Sequence, residues 1–164
     1  MNDALASEVS IETLPPMRVA CYRAASLTPE EDGVKYIQDW WRQQSSAATG
    51  RHFGFDVDVT PEQQKEGLRG YEYWLCVPQG VQPSAGVTLR DFAGGLYAVQ
   101  TLFDPFVDPF ARIPAGWNAL HEWVIGSSHK CRSGEHQWME ERAPGLTGNG
   151  RDNLKLYHPI QMGG

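Results

Sequence analysis

Val9-Ser10-Ile11-Glu12-Thr13-Leu14 and Val87-Thr88-Leu89-Arg90-Asp91-Phe92 carry their apolar residues at the same positions. Each is followed by two turn residues, Pro15-Pro16 and Ala93-Gly94, and then by a second apolar run, Met17–Cys21 and Gly95–Val99. Further blocks pair in the same order. Gly33–Trp41 matches Gly116–Val124, His52–Asp56 lies against His136–Glu140, and Tyr73–Pro78 lies against Leu154–Pro159. The shift between blocks drifts by only a few residues, as loop-length changes between two copies of one module require. Each copy reads β-α-β-β. The expected fold is therefore α+β: a tandem repeat with pseudo-twofold symmetry, an antiparallel sheet and two main helices. Residues 1–164 form a single domain in this reading, with repeat one at about 9–78 and repeat two at about 87–160. A repeat of this size has little core of its own, so a ligand groove between the two is expected.

The local signals fill in this plan. Val9–Leu14 and Met17–Tyr22 read as one strand broken by a bulge at Pro15-Pro16, or as two strands around a tight turn. Thr28-Pro29-Glu30-Glu31 has the form of a helix start, with Thr28 as cap and Glu31 as the reciprocal carboxylate. Val34, Ile37, Trp40, Trp41 and Gln44 then recur at helical spacing. Phe53–Val59 and Tyr71–Val77 read as strands, with Thr60–Gly70 a polar loop between them. In the second copy Pro105–Arg112 reads as a loop, and Pro114 opens a helix with Trp117, Leu120, His121 and Val124 on one stripe. His136–Ala143 and Asn153–Ile160 are strands around a Gly-rich loop, Pro144–Arg151.

Composition narrows the function. A net charge of −6 with dispersed Lys and Arg argues against a nucleic-acid footprint. No stretch has the length of a membrane span or the pattern of an amphipathic anchor. The first 17 residues contain no Lys or Arg and no apolar core, so no secretory signal is expected. Cys21, Cys76 and Cys131 are odd in number and far apart, which reads as reduced thiols in a cytoplasmic protein. His129, Cys131 and His136 fit no metal-ligand spacing, and His121-Glu122 lacks a second His one turn on. No metal and no cofactor are expected. Six each of Trp, Tyr and Phe exceed the needs of a small core and suggest an aromatic-lined cavity.

His136-Gln137-Trp138-Met139-Glu140-Glu141-Arg142 concentrates the chemistry. Alternation along a strand puts Trp138 and Glu140 on one face and Met139 and Glu141 on the other. A carboxylate beside an indole suits a lipophilic cation, through charge pairing and cation–π attraction.

Four strings together resemble the GyrI-like effector-binding family, which includes the ligand-sensing domains of multidrug-responsive transcription activators. They are Gly70–Pro78, Gly94–Val99, His136–Glu141 and Leu154–Ile160, and the resemblance runs from Val9 to Ile160. It implies two β-α-β-β modules with a pocket between them. The family's pocket glutamate falls at Glu140, and its aromatic walls point to Trp40, Trp74, Trp117 and Tyr157; Trp138, on the strand face of Glu140, is a further candidate ligand-binding residue. The implied function is that of a stand-alone binder of lipophilic, cationic aromatic compounds. An alternative from the same family is a hydrolase that opens strained electrophilic rings, with Glu140 as base and Tyr157 or Tyr73 as donor. A third reading is an inhibitor of a protein partner such as a topoisomerase, through loops 60–70 or 105–112. No helix-turn-helix is expected ahead of Val9, so no direct nucleic-acid contact is expected. No membrane contact is expected either, and the oligomeric state is a monomer or a homodimer.

Overall fold

Pro15 and Pro16 stand where two strands adjacent in sequence part company. In the computed structural model, which describes residues 5–45, 50–84, 86–131, 137–143 and 152–161, β1 (Ser10–Leu14) does not pair with β2 (Met17–Ser26). It pairs antiparallel with β6 (Gly95–Leu102), from Ser10 opposite Val99 to Leu14 opposite Gly95. β5 (Thr88–Phe92) pairs in turn with β2, from Met17 opposite Phe92 to Cys21 opposite Thr88. The segment from Val9 to Tyr22 is thus two strands in two ladders, neither a bulged strand nor a hairpin. Prolines 15 and 16 are exposed and offer no N–H, so no ladder closes across them.

The chain divides accordingly into two compact units. One comprises the residues up to Pro15 with those from Gly94 onward, and the other runs from Pro16 to Ala93. In the first, the strand order is β1-β6-β9-β8, where β8 is Met139–Ala143 and β9 is Asn153–Gln161. A two-residue strand, β7 (Lys130–Cys131), also pairs with β9. In the second the order is β5-β2-β4-β3, where β3 is His52–Val57 and β4 is Arg69–Cys76. Every one of these pairings is antiparallel, and each unit carries one main helix. The architecture is α+β with two main helices, as the repeat predicts.

In the β2–β4 unit, α1 (Pro29–Gln44) lays Ile37, Trp40 and Trp41 against Ala20, Tyr71, Tyr73 and Leu75. Its start differs from the expected capping box. Thr28 makes no side-chain cap; Asp32 instead accepts from Ser26 Oγ, and Ser26 Oγ accepts from the Thr28 N–H at 3.1 Å. The capping box forms at Thr60, within the segment read as a polar loop. Gln63 N–H donates to Thr60 Oγ1 at 3.2 Å and Thr60 N–H donates to Gln63 Oε1 at 3.0 Å, opening a short helix, α2 (Pro61–Lys65).

In the β6–β9 unit, α3 (Pro109–Gly126) packs Leu120 and Val124 on Ala98, Leu102, Leu154, Leu156 and Ile160. It begins earlier than the Pro114 start expected from the sequence, after a 3-10 turn at Pro105–Val107, and Pro114 lies inside it. Pro109 takes the first helical position, so Pro114 removes one bond, to the carbonyl of the exposed Phe110. β8 is shorter than the strand expected from His136, a residue that lies outside the described set, as does the Gly-rich stretch 144–151. No helix among the described residues is long and apolar enough to cross a membrane.

One glycine sets how tightly β3 and β4 pack. A Cβ at Gly54 would collide with the Tyr71 ring and hydroxyl, which occupy the space a side chain would need. Alanine normally improves on glycine inside a strand. Here Gly54→Ala is expected to destabilise the protein by about 1–3 kcal/mol through overpacking, and Tyr71→Leu in the same chain should recover part of the loss. Urea unfolding of the two variants checks this.

Candidate functional site

The strands of each unit have one face under its helix and one face turned away from it, and alternation along the strands decides which side chain goes where. In the β6–β9 unit, Leu154, Leu156, His158 and Ile160 face α3, so Tyr157 points to the opposite side. There it meets Tyr97 edge-on at 5.9 Å between centroids. Met139 sits opposite Tyr157 in the ladder, and Glu141 sits opposite Lys155. Tyr157 O–H donates to Glu141 Oε1 at 2.6 Å, a charge-assisted bond. Lys155 Nζ stands 5.5 Å from the Tyr157 ring centroid and 3.6 Å from Glu12 Oε1. Tyr97, Tyr157 and Met139 are all fully buried.

The β2–β4 unit has its own polar group on the corresponding face. Glu72 is buried, and accepts from the Trp74 indole N–H at 2.7 Å. Arg23 and Arg90 reach its two oxygens from the exposed rim at 3.4 and 3.8 Å. Trp74 also packs edge-on against Phe55 and Phe92, at 5.2 and 5.4 Å. Cys21, opposite Trp74 in the ladder, has its thiol pushed up to about 12, first by burial and then by the Glu72 charge. That thiol is inert as a nucleophile at neutral pH.

On the α3 side of the β6–β9 sheet a third cluster forms. His121 from α3 meets His158 from β9, Nδ1 to Nε2 at 2.9 Å, with the rings nearly parallel. Trp138 packs on His158 at 3.9 Å and neighbours Trp117 at 5.7 Å. Burial first, and the neighbouring His121 second, lower the pKa of His158 against the bond to the Pro159 carbonyl.

These faces sort the sequence-derived candidates. Trp138 and Glu140 do share a face, the one that also carries His158 and α3, together with Trp117. Tyr157 lies on the other face, with Glu141. Glu140 and Tyr157, the base and donor of the hydrolase alternative, are therefore not brought together. Trp74 lies with Glu72 away from α1, whereas Trp40 is in the α1 core and its indole N–H donates to Ser84. Tyr73 also lies in that core.

Three groups escaped the sequence reading: Glu72, Glu141 as partner of Tyr157, and the His121–His158 pair. Glu72 had a legible signal. A single carboxylate in the apolar run Tyr71-Glu72-Tyr73-Trp74-Leu75 requires buried partners. The histidine pair had none, since its members lie far apart in the chain.

His158 generates a pH prediction. In the unfolded chain its imidazole titrates near 6.5, and in the folded chain lower. As pH falls through that range the unfolded state gains a proton that the folded state resists, so stability is lost toward acid. This group alone is expected to contribute up to about 1.4 kcal/mol per pH unit to that loss. Urea unfolding at pH 7 and pH 5 should show a shallower decline in His158→Gln than in the natural sequence. Equal declines would contradict the assignment.

No family model matches the sequence, and no curated protein matches it. Solved structures do. The C-terminal domain of EcmrR aligns with a TM-score of 0.70 at 9% identity, covering 94% of this chain and 98% of that one. EcmrR in its DNA complex aligns at 0.72 and 10% identity over 96% of this chain, which spans 58% of the EcmrR chain. SAV2435 bound to tetraphenylphosphonium aligns at 0.53 and 10% identity, over 94% of each chain. At these identities the likeness speaks for architecture and not for activity. The chain shares the fold of the EcmrR C-terminal domain.

Proposed function

We propose that this chain is a small-molecule binding module that takes lipophilic, cationic aromatic compounds, with Glu141, Tyr157 and Tyr97 as contact groups. One observation carries the reading: the Tyr157 ring already takes an ammonium group, that of Lys155, while its hydroxyl holds the Glu141 carboxylate at 2.6 Å. A ring face and a carboxylate are thus preorganised for positive charge in a buried setting, where both attractions are stronger than in water. Lys155 keeps Glu12 as a partner when a ligand cation takes its place over the ring. The acidic net charge favours the approach of cations. A solved relative of the same fold, SAV2435, holds a ligand of this class, tetraphenylphosphonium.

The reading differs from the sequence-based choice of Glu140 by one residue and therefore by one sheet face. Glu141 is preferred because it shares its face with the tyrosines, whereas Glu140 shares its face with Trp138. One experiment tests both the ligand class and the residue. Calorimetric titration with tetraphenylphosphonium and with neutral triphenylphosphine oxide is expected to favour the cation at least tenfold. Glu141→Gln should cost about 1–3 kcal/mol of the cation's binding, and Glu140→Gln should cost less than half as much. Equal binding of the two compounds removes the cation claim. A loss confined to Glu140→Gln returns the role to that residue.

A further inference from the structure

We propose a second binding site, on the α3 side of the β6–β9 sheet, formed by Trp117, Trp138 and His121 for a planar aromatic compound that carries a hydroxyl or N–H donor. The protons of the two histidines set which ring nitrogen donates and which accepts. His158 is fully buried, and its Nδ1 lies 2.9 Å from the Pro159 carbonyl oxygen. A carbonyl only accepts, so Nδ1 of His158 carries the proton. Burial holds this ring neutral, and its Nε2 is then a bare lone pair. That lone pair accepts from His121, whose Nδ1 stands 2.9 Å away. Nδ1 of His121 therefore holds a proton, and in the neutral imidazole Nε2 of His121 is the acceptor. No hydrogen bond from the described residues reaches that nitrogen.

The surroundings fit a flat ligand. Trp138 is 39% exposed, yet it is held in place by His158 at 3.9 Å and by His121 at 5.5 Å. Trp117 lies beside it at 5.7 Å with the two indole planes 45° apart. Two tilted indoles and a half-buried imidazole make an apolar, ordered surface with one fixed acceptor. A third aromatic ring adds offset or edge-on contacts to the indoles. Its donor satisfies the acceptor, and an analogue lacking the donor leaves it unsatisfied. This site lies on the opposite face of the sheet from Glu141 and Tyr157, and needs neither.

The test uses the full chain with 2-naphthol and 2-methoxynaphthalene, in which a methyl group replaces the donor hydrogen. At pH 7.5, 2-naphthol is expected to bind about fivefold to tenfold more tightly, the worth of one hydrogen bond. Binding should also shift the ¹⁵N resonance of His121 Nε2, from a bare lone pair toward a hydrogen-bonded one. His121→Phe keeps a stacking ring but no acceptor, and should equalise the two probes. Trp138→Ala should weaken both alike. His121→Gln retains a donor toward His158 and an acceptor, so it should keep a preference even if His121→Phe fails to fold. The proposal is overturned if the natural sequence binds both probes equally or neither at millimolar concentration. It is also overturned if the ¹⁵N shift of His121 does not respond, or if His121→Phe preserves the preference.

Discussion

Strand exchange at Pro15-Pro16 and Ala93-Gly94 is the constraint on which the rest of the structure depends. β6 and β2 carry fully buried residues, Tyr97 and Ala98 in one and Val19 and Ala20 in the other. Each would be a bare edge without its outer partner, and a bare edge with such content invites aggregation. The partner comes in each case from the other sequence repeat: β1 covers β6 and β5 covers β2. The return crossing is tight. Gly94 adopts φ +76°, and a side chain there would run into the Leu14 carbonyl and Pro15. Pairing segments this far apart in sequence requires closing a long loop before any contact rewards it.

The repeat was legible because its signal lies in the order of apolar blocks, which survives loop-length changes. Exchange of the first strands was not legible, since the two arrangements use the same strands and differ only in which copy each edge strand joins. A similar ambiguity affected the helix starts. Thr28-Pro29-Glu30-Glu31 and Thr60-Pro61-Glu62-Gln63 carry the same capping pattern. Only the second forms the box, because at the first Ser26 and Asp32 reach each other and take over the capping geometry. Local rules name what a segment can do, and tertiary neighbours select among those options.

At the site the limiting quantity is a single residue of register. Alternation puts Trp138 with Glu140 and Met139 with Glu141, and the sequence supports that division. Which face then lies under α3 depends on how β8 pairs with β9, and Met139 opposite Tyr157 decides it. A slip of one residue would exchange the roles of the two glutamates. The Glu72 cluster was readable in principle from a lone carboxylate among aromatics, because burial without partners is too costly to persist. The His121–His158 pair could not be read, because helix and strand meet there only through packing.

The exchanged pairing can be seen directly by nuclear magnetic resonance, through cross-strand proton contacts in the natural sequence. The account predicts backbone nuclear Overhauser contacts between Ile11 and Ala98 and between Thr13 and Leu96, together with contacts between Val19 and Arg90. A set linking residues 10–14 to residues 17–21, as in a hairpin folded at Pro15-Pro16, would contradict it.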